Sequence, residues 1–399
     1  MTILEFHDLK FEESDDKIKV FFLRDYHFYV DKKQFSNIGV FKINKNIIEF
    51  DASKKAVTNK FNRILQMGFE DLKDVFGKRT IYVHSNSDIP LVGTNEFGII
   101  DRGTNCVELK PNTGCNLDCV YCSVDAGDSS KKAFDFVVEK DYLISETKKI
   151  VLSKKNPVEI SINPQGEPLL YEPLFDLVSE LKALKGVKTV SVNTNGVLLT
   201  KKVIDRFQKA GLDRLNISLN SLNEKICSKL AGKKYPLKRV KEAIDYACNT
   251  KKVDIFIAPI IIPKFNDGEK EKIILFCKKR NIRVGFQNFL HYSNGRNPTK
   301  PKPMKEFVDE LRFLEEKTGF KLFLKAVDFE IFPDKTLKKP FKKGDVIKAK
   351  IVSFGKYKTE RICVFKDRCI TVNVSKPINQ IVNIKIVRDK HNIFKGVLK

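Results

Sequence analysis

The stretch Lys110-Pro-Asn-Thr-Gly-Cys115-Asn-Leu-Asp-Cys119-Val-Tyr-Cys122-Ser123 decides the fold class. It follows a short β run, Val107 to Lys110, and places three cysteines at C-x-x-x-C-x-x-C spacing in a Gly-containing loop. Thiolates so spaced wrap three corners of a cubane and leave one iron without a protein ligand. An open coordination position is where a substrate or cofactor binds, the logic that separates catalytic from structural zinc sites. Structural zinc is the alternative, and it usually wants a fourth Cys or His at short spacing. No His lies between His84 and His291, and Cys106 is the nearest spare cysteine.

Working outward, residues 101 to 290 alternate strand and helix patterns, which argues an α/β fold with a parallel sheet. Strands are expected at Val107 to Lys110, Val158 to Asn163, Thr189 to Asn193, Asp213 to Leu219, Val253 to Ile262 and Arg283 to Phe289. Helices are expected at about 134–153, 172–184, 200–210, 223–248 and 267–280, the last opened by a capping-box pattern of Asn266 and Glu269. A further amphipathic helix spans about Met304 to Lys317. Residues 1–100 read as a small α+β domain with β runs at Val20 to Leu23, Phe28 to Val30, Val40 to Ile43 and Ile47 to Phe50, then a helix over about 58–76. Pro333 to Lys343 reads as a linker, and beyond it VIKAKIVSF, RICVF, CITVNV and IVNIKIV suggest a small five-stranded barrel. The predicted domains are therefore 1–100, 101–332 and 340–399. The longest apolar stretch, Ile255 to Pro263, is far shorter than the roughly 20 residues of a membrane helix. No secretory signal is visible, so a cytoplasmic protein is expected, with its nine cysteines as thiols or ligands more than as disulfides.

The sequence resembles the radical S-adenosylmethionine (SAM) superfamily, whose hallmark C-x-x-x-C-x-aromatic-C is matched by Cys115, Cys119, Tyr121 and Cys122, over about residues 105 to 290. The resemblance implies a partial (β/α)6 barrel in which these cysteines hold a 4Fe-4S cluster, with SAM chelating the fourth iron. An electron from a donor such as ferredoxin or flavodoxin then cleaves SAM to methionine and a 5′-deoxyadenosyl radical. Asn163-Pro-Gln-Gly166-Glu167-Pro168 is similar to the family's G-G-E-P segment, with Gln165 at the first glycine; Gly166 and Glu167 would expose carbonyls and a carboxylate to the SAM ammonium. Val192-Asn193-Thr194-Asn195-Gly196 is similar to T-N-G, and Ser218-Leu-Asn220-Ser-Leu222 to S-L-D-S-L with Asn220 for Asp. Thr194, Asn195 and Ser218 are thereby implied as cofactor contacts, Tyr121 as packing near the adenine, and Gln287 as closing the pocket. Each segment alone also reads as a polar strand end leading into a helix cap. Their joint appearance at successive strand C-termini fits the face where parallel α/β folds place their sites. His291 to Arg296 is expected to face substrate.

The chain carries 74 Lys and Arg against 50 Asp and Glu, a net +24; residues 335–399 hold 18 basic against four acidic residues, or +14 of it. That asymmetry suggests an appended polyanion-binding module, the alternative being a solvated Lys-rich surface. Residues 340–399 resemble the TRAM domain, an OB-like barrel attached to RNA-modifying enzymes, although Phe354-Gly355-Lys356 stands where a G-x-G is usual. Lys348, Lys350, Lys356, Lys358, Arg361 and Lys366 are the candidate RNA backbone contacts, with Tyr357 or Phe365 to stack, and tRNA or rRNA the expected partner. A protein side chain, a small metabolite, or a non-enzymatic RNA-binding role are the competing readings. The second cluster of methylthiotransferases is not expected, because residues 1–105 contain no cysteine. Cys363 and Cys369 are expected to pair or to be buried, and Cys106, Cys227, Cys248 and Cys277 to act as small hydrophobes.

Overall fold

The computed structural model describes residues 1–399. Its central sheet has seven strands. The six parallel ones, Cys106–Lys110, Val158–Ile162, Val187–Thr194, Arg214–Ile217, Asp254–Ile257 and Arg283–Val284, lie side by side in sequence order. Gly98–Asp101 adds an antiparallel edge strand that the sequence did not suggest. Alternation along each strand separates two faces. Val107, Leu109, Ile160, Ile162, Val190, Val192, Leu215 and Ile217 are all buried. The alternate positions Glu108, Ser161, Ser191, Asn193 and Asn216 are polar. The inner face of the curved sheet is thus hydrophilic, with Arg214 paired to Glu159 and the Asn216 amide donating to Asn193.

Several expected boundaries shift for physical reasons. Phe134–Val138 is a strand, not the start of a helix, and the helix begins at Lys140 and runs to Ser153. All five residues of FDFVV are buried, and they pair in parallel with Arg79–Val83. The helix expected over 223–248 is two helices, Glu224–Ala231 and Leu237–Thr250, separated at Gly232 (φ 65°) and Pro236. The apolar run Ile255 to Pro263 is likewise two strands, Asp254–Ile257 and Ile260–Ile261, because Pro259 has no N–H for the ladder. Asn266 and Glu269 form no capping box: the Asn266 side chain accepts from Ile262 N and donates to the Asn220 and Ile260 carbonyls. Glu269 accepts from Ser221 Oγ at 2.6 Å and Leu222 N at 2.8 Å.

In the N-terminal region a six-stranded sheet includes Lys17–Phe22, Tyr26–Asp31, Lys73–Asp74 and Arg79–Val83, backed by the helix Lys54–Glu70. That helix starts and ends earlier than expected, because residues 73–74 are taken up by the sheet. Phe134–Val138 forms the far edge of the same sheet, so a segment downstream of the cysteines is stitched into the N-terminal region. One apolar cluster runs through both.

Residues 346–398 form a closed five-stranded barrel, as expected, around Phe341, Ile351, Cys363, Ile370, Ile384 and Phe394. Cys363 and Cys369 are unpaired and buried. The barrel is fastened to the rest of the chain. Cys369 N donates to Val92 O and Phe394 N to Gly93 O, while Phe354 stacks on Phe134 with centroids 4.8 Å apart. No helix is long and apolar enough to cross a membrane.

Candidate active site

The loop bearing Cys115, Cys119 and Cys122 leaves the end of the Cys106–Lys110 strand and is shaped from outside by backbone contacts. Asp118 N donates to Ala231 O at 2.9 Å and Val120 N to Leu230 O at 3.0 Å, docking the loop on the C-terminal end of the Glu224–Ala231 helix. Glycines permit the approach. A Cβ on Gly232 would stand 2.2 Å from Asp118 O, on Gly127 2.2 Å from Leu117 O, and on Gly166 2.1 Å from Gly114 O. Thr113 locks the start of the loop to the Phe134–Val138 strand, donating to Asp135 at 2.6 Å and accepting from Phe136 N at 2.8 Å.

Arg296 closes the other side. Its guanidinium donates to Asp118 and Asp125, both at 2.8 Å, and to the carbonyls of Cys119 (3.2 Å) and Ala126 (3.0 Å). Arg296 N also donates to Cys122 O at 2.9 Å. Expected to face substrate, Arg296 instead clamps the cysteine loop from two acidic side chains and three carbonyls.

The three cysteines are unpaired thiols, each half-buried. Burial pushes Cys115 well above the ordinary thiol range and Cys119 up to about 12. Backbone N–H groups are aimed at two of the sulfurs, Leu117 at Cys115 and Ala126 at Cys122 Sγ (3.2 Å). N–H···S hydrogen bonds of this kind accompany cluster thiolates and tune them. No group of three His, Cys, Asp or Glu side chains converges as a single-ion site, which a mononuclear zinc would require. Three thiols on a braced loop fit a 4Fe-4S cluster with one open iron.

Beside Cys119 lies a small cleft that also takes in Tyr121, Asn195 and Ser218, bringing together four of the expected site residues. Among the lining residues not singled out as contacts, Asn220 and Tyr235 carry hydrogen bonds that shape the cleft. Asn220 donates its amide to the Tyr121 hydroxyl and accepts from Ile260 N at 2.8 Å, fixing the ring against the short Ile260–Ile261 strand. Tyr235 donates to Asn195 O at 2.8 Å. Burial raises both tyrosine hydroxyls above their ordinary pKa. The Ser218 backbone N–H donates to Thr194 O at 2.9 Å, which ties its strand end to the next.

Other expected contacts sit outside this cleft. Gly166 packs against the cysteine loop, and Glu167 N donates to Gly114 O at 2.9 Å. The Glu167 carboxylate accepts from Thr194 Oγ1 (2.7 Å), Asn195 N (2.9 Å) and Leu169 N (3.1 Å), and burial raises its pKa to about 7. Glu167 and Thr194 therefore hold two strand ends together. Gln287 is exposed on the short Gln287–Asn288 strand.

The barrel divides the expected RNA contacts. Lys348, Lys350, Lys358 and Lys366 are exposed, with Lys350 Nζ 3.7 Å from Asp88. Lys356 is buried in an ion pair with Glu96 at 2.9 Å, and its carbonyl accepts from Ala133 N at 2.7 Å. Arg361 is also buried, donating to the carbonyls of Lys376, Lys358 and Glu360. Both are corrected from surface contacts to internal fasteners. Phe365 packs on Phe341, with centroids 6.0 Å apart, and is half-buried.

A family model described as the radical SAM superfamily matches residues 109–277. An uncharacterized protein of Methanocaldococcus jannaschii is 35% identical over 430 aligned positions that cover 94% of this chain and 99% of that protein. A GTP 3′,8-cyclase of Chlorobaculum tepidum is 29% identical over 196 residues, 49% of this chain and 56% of the cyclase, so the chain spans little more than half of that relative's length. Among solved structures, Streptococcus suis SuiB bound to S-adenosylmethionine aligns over 82% of this chain and 71% of its own, with TM-score 0.43 and 13% identity.

Proposed function

This chain belongs to the radical SAM superfamily of enzymes, whose cofactors are a 4Fe-4S cluster and SAM, and from that premise we propose that it modifies a base of tRNA or rRNA in the cytoplasm. The observation that carries the reading is the braced loop with Cys115, Cys119 and Cys122 beside the cleft lined by Tyr121, Asn195 and Ser218. When bound, the cluster and SAM together supply one-electron cleavage and hydrogen-atom abstraction. The chain contributes the rest. Cys115, Cys119 and Cys122 ligate three irons, and Arg296 with the three close-packed glycines holds them in register. Asn195 and Ser218 offer hydrogen bonds to the cofactor, and Tyr121, oriented by Asn220, packs against it. The polar inner face at Asn193 and Asn216 receives a hydrogen-bonding substrate.

The RNA assignment rests on the exposed lysines Lys348, Lys350, Lys358 and Lys366 of the C-terminal barrel, which we read as TRAM-like. Residues 1–100, 101–332 and 340–399 then divide support, chemistry and RNA capture. Anaerobic reconstitution tests the chemistry: dithionite-reduced protein with SAM is expected to yield 5′-deoxyadenosine, and its absence rejects the radical reading. Mass spectrometry of tRNA and rRNA nucleosides from a deletion strain tests the substrate, with loss of one modified nucleoside expected. The similarity to GTP 3′,8-cyclases favours a second reading, a free nucleotide as substrate; an unchanged nucleoside profile would turn the assignment to it.

A further inference from the structure

Strand register sets five residues of the inner face abreast. Leu109 pairs with Ile162 and Ile162 with Val192, so the residues one step on, Lys110, Asn163 and Asn193, share one level of the central sheet. Asn193 in turn pairs with Asn216, and Asn216 with Phe256. Neighbouring strands lie about 4.8 Å apart, and side chains alternate between the two faces. Leu109, Ile162, Val192 and Leu215 are buried on the outer face, so this level points inward. It lies directly beneath the loop that carries the cysteines, which leaves the first strand at Lys110. Asn163, Asn193, Asn216 and Phe256 are only partly buried, and Phe256 fits over Gly285, where a Cβ would stand 2.6 Å from the ring.

The hydrogen bonds of this level run in one direction. Arg214 is paired to Glu159, and its Nε donates to Asn216 Oδ1 at 3.1 Å. A guanidinium only donates, so the Asn216 carbonyl faces Arg214 and its NH2 faces Asn193. That NH2 donates to Asn193 Oδ1. Asn193 is therefore left with only its own NH2, which has no partner in the chain, and is a fixed donor. On the other side Lys110 Nζ donates to Asn163 O at 2.8 Å, and the neighbouring Glu108, 3.8 Å away, is already held by Arg102 through both carboxylate oxygens. An ammonium has no acceptor, so Lys110 is a second fixed donor. The Asn163 amide between them is unpartnered and can turn either way. The row reads donor, either, donor.

The complement of such a row is acceptor, donor, acceptor. Uracil presents that order along one edge, as O2, N3–H and O4. Cytosine and guanine each end the matching edge in an amino group, which sets N–H against a fixed donor, and adenine carries no carbonyl oxygen at all. A site whose buried polar groups would be left unpaired rejects such a base more strongly than one that only fits its shape. We propose that Lys110, Asn163 and Asn193 read this imide edge of a uracil base, with Phe256 as the apolar end of the row. Arg214 and Asn216 act through Asn193 and are positioning residues. The assignment deepens the reading of the inner face as the substrate site and rests on it.

The test is equilibrium dialysis of uridine, cytidine, guanosine and adenosine 5′-monophosphates against the reconstituted full chain, wild type and Asn216→Asp. The wild type is expected to bind the uridine nucleotide about tenfold more tightly than the cytidine one. In the variant the new carboxylate accepts from Arg214 and from the Asn193 NH2, which turns the Asn193 carbonyl to the barrel interior. The row then reads donor, either, acceptor, the complement of cytosine, so the preference is expected to invert while cluster absorbance matches the wild type. Asn193→Asp makes the same exchange directly and replaces the first variant if that folds poorly. No preference for the uridine nucleotide in the wild type, or an equal loss of both nucleotides in the variants, would overturn the proposal. So would loss, in the deletion strain, of a modified nucleoside derived from adenosine, guanosine or cytidine. RNA nucleosides unchanged by the deletion would instead remove RNA from the function, and a uridine preference that inverts in the variants would leave the uracil site standing.

Discussion

Around the cysteine loop one charged clamp, Arg296 on Asp118 and Asp125, works beside mostly uncharged residues: Gly127, Gly166 and Gly232 admit backbone where a methyl group would collide, and Asn195, Ser218 and Asn220 line the cleft. The C-terminal barrel carries +14 of the net charge across residues 335–399, yet two of its basic side chains, Lys356 and Arg361, are buried and spent on internal contacts. Charge density therefore locates a region without identifying its working residues. In the loop, function follows from which atoms are absent. In the barrel, it follows from which cations are left free once the interface has taken its share.

The sharpest break of this contrast is Gly232→Ala. The new Cβ meets Asp118 O at 2.2 Å, and the residue sits at φ 65°. Overpacking costs about 1–3 kcal/mol and the left-handed conformation about 1–2 kcal/mol, both levied where the loop docks. Reconstituted G232A is expected to lose most of its visible cluster absorbance. Gly319→Ala is the control, since Gly319 has a similar φ of 60° and nothing within 4 Å. It should load its cluster normally and lose only about 1 kcal/mol in a denaturant melt. Equal loading by the two variants would show that backbone approach is not what shapes the loop.

On the barrel side, Lys356→Met strands Glu96 in a buried site, and removing one partner of such a pair costs about 3–5 kcal/mol. Lys358→Met, two residues away and exposed, should stay within about 0.5 kcal/mol of the wild type. Deleting residues 340–399 is a poor test of RNA binding for the same reason, because it uncovers Phe134 and leaves the Ala133 N–H without its acceptor. Arg296→Gln is expected to have a smaller effect, about 2 kcal/mol from lost hydrogen bonds to Asp118 and Asp125. Its cluster should still load but bleach faster in chelator, and Arg296→Lys should restore little because the fork of contacts needs a planar guanidinium.

What the sequence made legible followed short-range rules. Alternating Val and Ile marked the parallel strands, and the C-x-x-x-C-x-x-C spacing marked the loop. What it hid was long-range. Phe134–Val138 looks like a helix start because its partner, Arg79–Val83, lies some fifty residues earlier and no local pattern announces the pairing. Gly232 and Pro236 were visible helix breakers, but apolar periodicity ran past them on both sides. The Glu167 carboxylate looked free for a ligand until Thr194 and Asn195 folded onto it. Lys356 and Lys358 are indistinguishable in composition, and only Glu96, distant in sequence, separates them. The polar inner face was readable in Val158-Glu-Ile-Ser-Ile162 and Val190-Ser-Val-Asn193, where every second residue is hydrophilic in a sheet whose outer face is covered by helices.

The smallest expected effects belong to the exposed lysines, and they decide whether the barrel meets RNA. Lys348→Ala, Lys358→Ala and Lys366→Ala each remove a side chain that stands in water, so none should move stability by more than about 0.5 kcal/mol. If each contacts a phosphate, each should weaken total-tRNA binding modestly and lower the slope of log affinity against log salt by about 1. Filter binding across a salt series reads this directly. Lys356→Met should leave the slope unchanged at temperatures where it remains folded, because its ammonium already faces Glu96. Slopes indifferent to all three exposed lysines would mean that the +14 is a solvated surface, and the likeness of the barrel to RNA-binding modules would then carry no functional weight.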